Sequence, residues 1–243
     1  MTEYKLNVVA MIPARMGSER LPIKNLALID GKPLISYAIR AAQESGVFDQ
    51  IVINSDGEAF SKVADRYGTD FYLRPERLGS SDTKSDELVY DFMLKYPSDI
   101  VVWVNPISPL QPASEVAQVV QYFIQNSLDS LITVIDERVH CVYQGTPINY
   151  VTDELFAKTQ DLIPVQSFVY SIMMWRTTCF REAFEKDGYA LMSGQMGYYP
   201  VSKNSAVIIK NDQDLMMAES ILRSTNPDGS YTVLYDEILK MSG

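Results

Sequence analysis

Residues 12–26 read Ile-Pro-Ala-Arg-Met-Gly-Ser-Glu-Arg-Leu-Pro-Ile-Lys-Asn-Leu. Three cationic side chains, Arg15, Arg20 and Lys24, stand against one acid, Glu19, and Gly17 and Ser18 occupy the tip. Backbone amides at such a tip can face an anion, and fixed cations can hold the charge that develops on a leaving phosphate. Amides for bridging oxygens and cations for terminal ones are what a triphosphate needs. The spacing matches neither a Walker loop nor the dinucleotide-binding glycine fingerprint. Arginine and lysine in a loop are also an ordinary surface feature. What favours a functional loop is its position directly after the first buried strand.

The elements that must hold this loop follow from periodicity. Leu6 to Ile12 is a continuous apolar run, as a parallel strand covered on both faces requires. Pro33 to Ser45 has helical spacing, with Leu34, Ile35, Ala38, Ile39 and Ala42 on one face and Gly46 as the stop. Strands are predicted at Gln50–Ser55, Asp70–Leu73, Ile100–Asn105 and Leu131–Ile135. Helices are predicted at Glu58–Tyr67, Ser85–Lys95 and Ala113–Asn126. Strands alternating with helices imply an α/β fold with a mostly parallel sheet covered on both faces. Ligands of such sheets bind beyond the carboxyl ends of the strands, so loops 13–25, 54–57, 74–84 and 105–112 are the ones to watch.

The second half is less regular. Residues 137–167 have no clean period. Phe168 to Arg176 reads as a strand, Thr178 to Lys186 as a helix, and Tyr198–Val201 and Ala206–Ile209 as strands. Met173, Met174 and Trp175 read as core. A helix is expected from Asp212 to Arg223, with Asn211 as its N-cap and Asp214 as the acid at its third position. After Asn226 a turn leads into a last helix or strand.

Composition bounds the partners. The chain has 243 residues, 47% hydrophobic and 21% charged, which suits one domain over 1–243 and excludes a disordered chain. A net charge of −10 argues against nucleic acid and an anionic membrane as partners, while a local cationic loop can still take a small anion. Two cysteines, Cys141 and Cys179, have no metal-binding spacing, and the lone His140 excludes chemistry that needs two histidines. No export signal and no apolar run of bilayer length is visible, so the expectation is a cytoplasmic protein.

MIPARMGSERLPIKNL resembles the signature of the cytidylyltransferases that activate acidic sugars, namely CMP-sialic acid synthetase (acylneuraminate cytidylyltransferase) and its relative CMP-Kdo synthetase. GKPLISYAIRAA, VINSDGEAF, RPERLGSSDTKSDEL, VNPISPLQPASEV and DQDLMMAE resemble later segments of that family, in the same order. The resemblance implies a three-layer α/β/α nucleotidyltransferase fold, like that of nucleotide-diphospho-sugar transferases, with a small dimerisation excursion at about 137–175. It implies transfer of CMP from CTP to an acidic 2-keto sugar, sialic-acid-like or Kdo-like, with release of pyrophosphate. Such a product would feed a surface polysaccharide. By matching position, Arg15, Ser18 and Lys24 would hold the triphosphate. Asn25 would approach the base, Arg74 would contact the nucleoside, and Ser81 and Asp82 would lie near the cytosine. Asn105 would face the sugar, in the place of a glutamine. With Arg15 and Lys24 it forms the implied catalytic set. Plain structural readings stand beside the last of these: a solvated charge before Pro75 for Arg74, a turn or helix-start residue for Asp82, and a strand-end amide for Asn105.

The resemblance also implies Mg²⁺ and a homodimer. It breaks in two places. Ile208 and Lys210 stand where the family carries its metal aspartates, and neither supplies the oxygen that Mg²⁺ demands. On the acceptor side, Thr159 and Gln111 stand where arginines are usual, and Val169-Tyr170 replace Asn-Gly. Arg138 and His140 lie near the place of a further basic residue. Two alternatives therefore stay open: a different anionic acceptor, such as a phosphonate, or a nucleotide-binding relative without activity.

Overall fold

The structure, a computed structural model, describes residues 5–18, 20–80, 82–225 and 231–233. In chain order the elements are β1 (Val8–Ala14), β2 (Leu28–Ile29), β3 (Lys32–Pro33), α1 (Ile35–Ser45), β4 (Gln50–Ser55), α2 (Ser61–Tyr67), β5 (Asp70–Leu73), α3 (Ser85–Lys95), β6 (Ile100–Val104), α4 (Ala113–Gln125), β7 (Ser130–Glu137), β8 (Val142–Tyr143), β9 (Thr146–Pro147), β10 (Val165–Arg176), α5 (Thr177–Asp187), β11 (Met196–Pro200) and α6 (Asp212–Ser224). Seven strands form one sheet in the order β11-β7-β10-β6-β1-β4-β5. All neighbours are parallel except β10, which runs antiparallel to both β6 and β7. From β1 the chain builds outward through β4 to β5, and β6 then returns to the other side of β1. The strand order thus reverses between β1 and β6, where open α/β sheets place their ligands.

Alternation along β1 distributes its side chains to two helical layers. Val8, Ala10 and Ile12 face α1, α2 and α4, packing with Ile39, Val63 and Val116. Val9 and Met11 face α3 and α5, packing with Val89, Phe92 and Phe180. Trp175 is fully buried in this second layer, and its indole N–H donates to Leu191 O at 2.9 Å. Met174 and Met173 are buried too, as expected of core residues.

The strand over Leu6–Ile12 runs instead over Val8–Ala14. It continues through Pro13 because β6 pairs only as far as Met11, so the end of β1 is paired on one side alone. Pro33 lies in β3 rather than in the first turn of α1. A two-residue hairpin precedes that helix: Asp30 and Gly31 have φ of 47° and 72°, the signature of a type I′ turn. The strand expected at Ala206–Ile209 is absent. Ser202 to Val207 form turns through Ala206 N–H to Ser202 O and Val207 N–H to Asn204 O, and Ile209 N–H donates to Ile107 O. This segment closes over the strand ends instead of extending the sheet. The element expected after Asn226 falls almost entirely outside the described residues.

α6 packs on the β2–β3 hairpin through Ile29, Leu34, Ile209 and Ala218. Its start is the anticipated capping box: Asp214 N–H donates to Asn211 Oδ1 at 3.0 Å, and Asn211 N–H donates to Asp214 Oδ2 at 3.1 Å. Residues 138–164 leave the sheet as an arm holding the β8–β9 hairpin, and the chain returns in β10. No helix among the described residues is long and apolar enough to cross a membrane.

Asn211→Ala removes one half of the capping box. It is expected to cost about 1 kcal/mol, a fall in Tm of roughly 2–4 °C for a domain of this size, read by thermal unfolding.

Candidate functional site

A cleft of about 260 Å³ opens at the carboxyl ends of β1 and β6, at the reversal of strand order. Arg15, Ser18, Lys24, Asn25, Arg74 and Asn105 all line it, joined by Trp103 and by Thr83, Lys84 and Ser85 at the start of α3. Four of the lining residues, Arg15, Lys24, Arg74 and Lys84, are cationic, and no carboxylate lines the cleft among the described residues. A chain of net charge −10 thus concentrates positive charge in one concavity. That distribution selects for an anion.

Each cation is held differently. Lys24 follows Ile23, a β-branched residue in the left-handed region with φ 47°, and begins a short 3₁₀ turn. The turn aims its ammonium at Ile209 O, 3.0 Å away. Burial, followed by the charges of Arg15 and Arg20, lowers the pKa of Lys24, with Asp214 opposing. Arg74 is not a solvated charge: it is 5% exposed. Its guanidinium donates to Asn54 O at 2.6 Å and pairs with Asp56 at 3.4 Å. Burial lowers the Arg74 pKa, and Asp56 opposes this. Asp56 also accepts from Met16 N–H at 3.1 Å, so the carboxylate that neutralises Arg74 fastens the tip loop. Gly79 makes room for it, since a Cβ there would overlap the Asp56 carboxylate.

Three polar atoms on cleft-lining residues are buried and have no hydrogen-bond partner among the described residues: Asn25 Oδ1, Arg74 Nε and Trp103 Nε1. Buried groups of this kind cost stability unless something satisfies them. Asn105 also lines the cleft, but both ends of its amide bond backbone: Nδ2 donates to Tyr170 O at 3.1 Å, and Oδ1 accepts from Ile107 N–H at 3.4 Å.

Asp82 is not brought to the cleft. Its backbone N–H donates to Ser80 Oγ at 3.2 Å in the turn before α3, and its side chain is exposed. Ser81 lies outside the described residues. Arg20 is exposed and does not line the cleft. Trp103, Lys84, Thr83 and Ser85 escaped the sequence reading. Trp103 was hidden within an apolar strand pattern, while Thr83 and Lys84 fall in the 74–84 loop that the strand-end rule marked without naming either residue.

Gln111 is structural. Its amide donates to Glu115 Oε2 and to Ser171 Oγ, both at 3.2 Å. Glu115, a buried carboxylate, also accepts from Ser205 Oγ and from Ser202 N–H, the latter at 2.7 Å. Arg138 donates to Gln160 O and Leu162 O inside the arm, and His140 stacks on Phe156 with ring centroids 4.1 Å apart.

The residues at the place of the family's metal ligands do not fit Mg²⁺. Ile208 offers no side-chain oxygen, and Lys210 is an exposed cation. The neighbouring Asp214 accepts through Oδ2 from the backbone N–H groups of Lys210 and Asn211, and Asp212 accepts through Oδ1 from Gln213 N–H. No group of three or more His, Cys, Asp or Glu among the described residues could hold a metal ion.

Comparison with known proteins bears on the cleft. A family model described as "Cytidylyltransferase" matches residues 9–219. The pseudaminic acid cytidylyltransferase of Campylobacter jejuni is 36% identical over 124 residues, 49% of this chain and 53% of that protein. The CMP-N,N′-diacetyllegionaminic acid synthase of Legionella pneumophila is 34% identical over 122 residues, 48% of this chain and 53% of that protein. The N-acylneuraminate cytidylyltransferase of Escherichia coli is 32% identical over 120 residues, 49% of this chain and 29% of that protein. The chain therefore matches about half or less of the length of each of these relatives. Among solved structures, CMP:2-keto-3-deoxy-manno-octonic acid synthetase complexed with CTP shares the fold at 16% identity, with a TM-score of 0.67 over 89% of this chain and 98% of that one. With the family match running from the first strand into α6 and through every segment that lines the cleft, the chain belongs to the cytidylyltransferase family.

Proposed function

We propose that this chain transfers CMP from CTP to the anomeric hydroxyl of an acidic 2-keto sugar and releases pyrophosphate. The observation that carries the reading is the cleft with four cationic side chains and no carboxylate in its described lining. Arg15, Ser18 and Lys24 take the triphosphate, and Asn25 and Arg74 take the nucleoside. The acceptor hydroxyl attacks the α-phosphorus in line. One phosphorus–oxygen bond forms, the bond to the β-phosphate breaks, and the hydroxyl proton passes to water. Arg15 and Lys24 stabilise the charge that develops on the departing pyrophosphate. Asn105, locked by Tyr170 O and Ile107 N–H, presents a fixed polar edge where the sugar enters. The names of the relatives support the acceptor class, since all are enzymes of acidic sugars. Ile208 and Lys210 favour a second reading, a nucleotide-binding protein without turnover.

The arm at 138–164 carries Leu155, Phe156 and Ile163 exposed to 97%, 78% and 78%. Apolar groups this exposed mark an interaction surface. The partner we infer is a second copy of the chain, giving a homodimer. The dimer is expected to sediment as one species that Leu155→Asp with Phe156→Asp converts to monomer.

Pyrophosphate release is expected only when CTP and a 2-keto sugar acid are both present. Lys24→Ala and Arg15→Ala are each expected to lower kcat/KM by roughly 100-fold. Wild-type protein that binds CTP but releases no pyrophosphate across an acceptor panel would establish the second reading.

The lowered Lys24 pKa sets a pH dependence. Only the protonated amine holds phosphate, and in the folded protein it loses its proton at lower pH than an ordinary lysine. CTP affinity, read by calorimetry, is therefore expected to fall on the alkaline side sooner than a lysine of ordinary pKa would allow. Lys24→Arg is expected to abolish that fall, because a guanidinium stays charged.

A further inference from the structure

Tyr170 has φ 59°, in the left-handed region that non-glycine residues enter only against steric resistance. It lies in a bulge of β10, where the register slips between Phe168 and Met173. Burial does not offset the strain, because the side chain remains 45% exposed. The bulge has a clear backbone task. Tyr170 O accepts from Asn105 Nδ2 at 3.1 Å, and Ser171 O accepts from Asn105 N–H at 2.9 Å. Asn105 is thereby fixed where it lines the cleft.

A glycine at position 170 would offer the same carbonyl without the strain. What the tyrosine adds is its ring. That ring meets Phe168 edge-on with centroids 5.6 Å apart, and Phe168 stacks on Tyr198 at 5.9 Å and 27°. Three rings therefore form a wall on the amino-terminal half of β10, next to the carboxyl end of β6 from which Asn105 follows.

We propose that the exposed Tyr170 ring is a specificity-determining wall of the acceptor subsite, on which the apolar C–H face of the acceptor's ring packs. The proposal rests on the cytidylyltransferase reading above. An aromatic face binds such a surface without charge, which suits an acceptor side where Gln111 is engaged with Glu115 and Ser171. The ring acts on acceptor binding, not on the nucleotide and not on the chemical step.

The test compares whole wild-type protein with Tyr170→Gly and Tyr170→Phe. N-acetylneuraminic, N,N′-diacetyllegionaminic and pseudaminic acids serve as acceptors with CTP. For the acceptor that wild-type protein uses, Tyr170→Gly is expected to raise its KM about tenfold while the KM for CTP stays within about twofold. Its Tm is expected to stay level or rise, because the strained backbone relaxes. Tyr170→Phe keeps the ring and is expected to match wild type. An unchanged acceptor KM in Tyr170→Gly overturns the wall, as does an equal rise for both substrates, a Tm lower by several degrees, or dissociation of a wild-type dimer on sedimentation. If wild-type protein makes no CMP-linked product from any of the three, the wall falls together with the functional reading. Product formation with an unchanged acceptor KM removes the wall alone.

Discussion

Like charges crowded into one concavity repel, and everything around this cleft is organised to hold them there. Lys24 is restrained by a carbonyl from the segment before α6, 185 residues away in the chain. Arg74 is restrained by Asn54 and Asp56 at the end of β4. The partners are mostly neutral backbone oxygens, which fix a cation without cancelling its field. Asp56 is the exception, and it lies beneath Arg74, bonded to the backbone of the tip loop. A polyanion entering the cleft relieves the repulsion. The cost of assembling the cations is thus borne by folding, and binding begins from a preset arrangement.

The loop after β6 is held differently, by a buried polar network. Glu115 is buried and bonded to hydroxyl, amide and backbone groups: Gln111, Ser205 and Ser202 N–H. Gln111 extends the set to Ser171, whose hydroxyl meets Thr133 Oγ1 at 3.0 Å. The network joins the loop after β6, the strands β7 and β10, and the turn at 202–205. Removing one member would strand a buried polar group, so the network rigidifies as a unit. Asn105, the residue directly after β6 on one side and bonded to β10 on the other, inherits that rigidity.

Much of the fold was legible because it rests on local patterns. The strand-helix alternation through Gln125 follows from apolar periodicity, and the α6 capping box from Asn211 and Asp214 alone. The misses have local and non-local causes. The β2–β3 hairpin carries a readable signal, Asp30-Gly31, in a stretch where helical periodicity marks only a start at Pro33. Ala206–Ile209 has a strand-like composition, but its apolar residues cover the hairpin and α6 instead of pairing with the sheet. For the site, the cationic loop announced itself by charge and position. Trp103 did not, because a tryptophan at a strand end looks like core until the neighbouring loops are in place. Gln111 shows the opposite limit: its position suggested the acceptor, and only its partners show that it serves the scaffold.

One antiparallel strand also dictates an order of assembly. β1, β4, β5 and β6 pair among themselves and are all made before residue 105. β7 is the next strand in the chain yet pairs with none of them; its sheet partners are β10 and β11, both made later. The sheet therefore cannot close until the chain has passed through the whole arm and returned. Emerging from a ribosome, this protein exposes β7 with both edges bare during that interval. β7 is the segment most open to mispairing before the fold is complete, and the rate at which β10 arrives governs how long the hazard lasts.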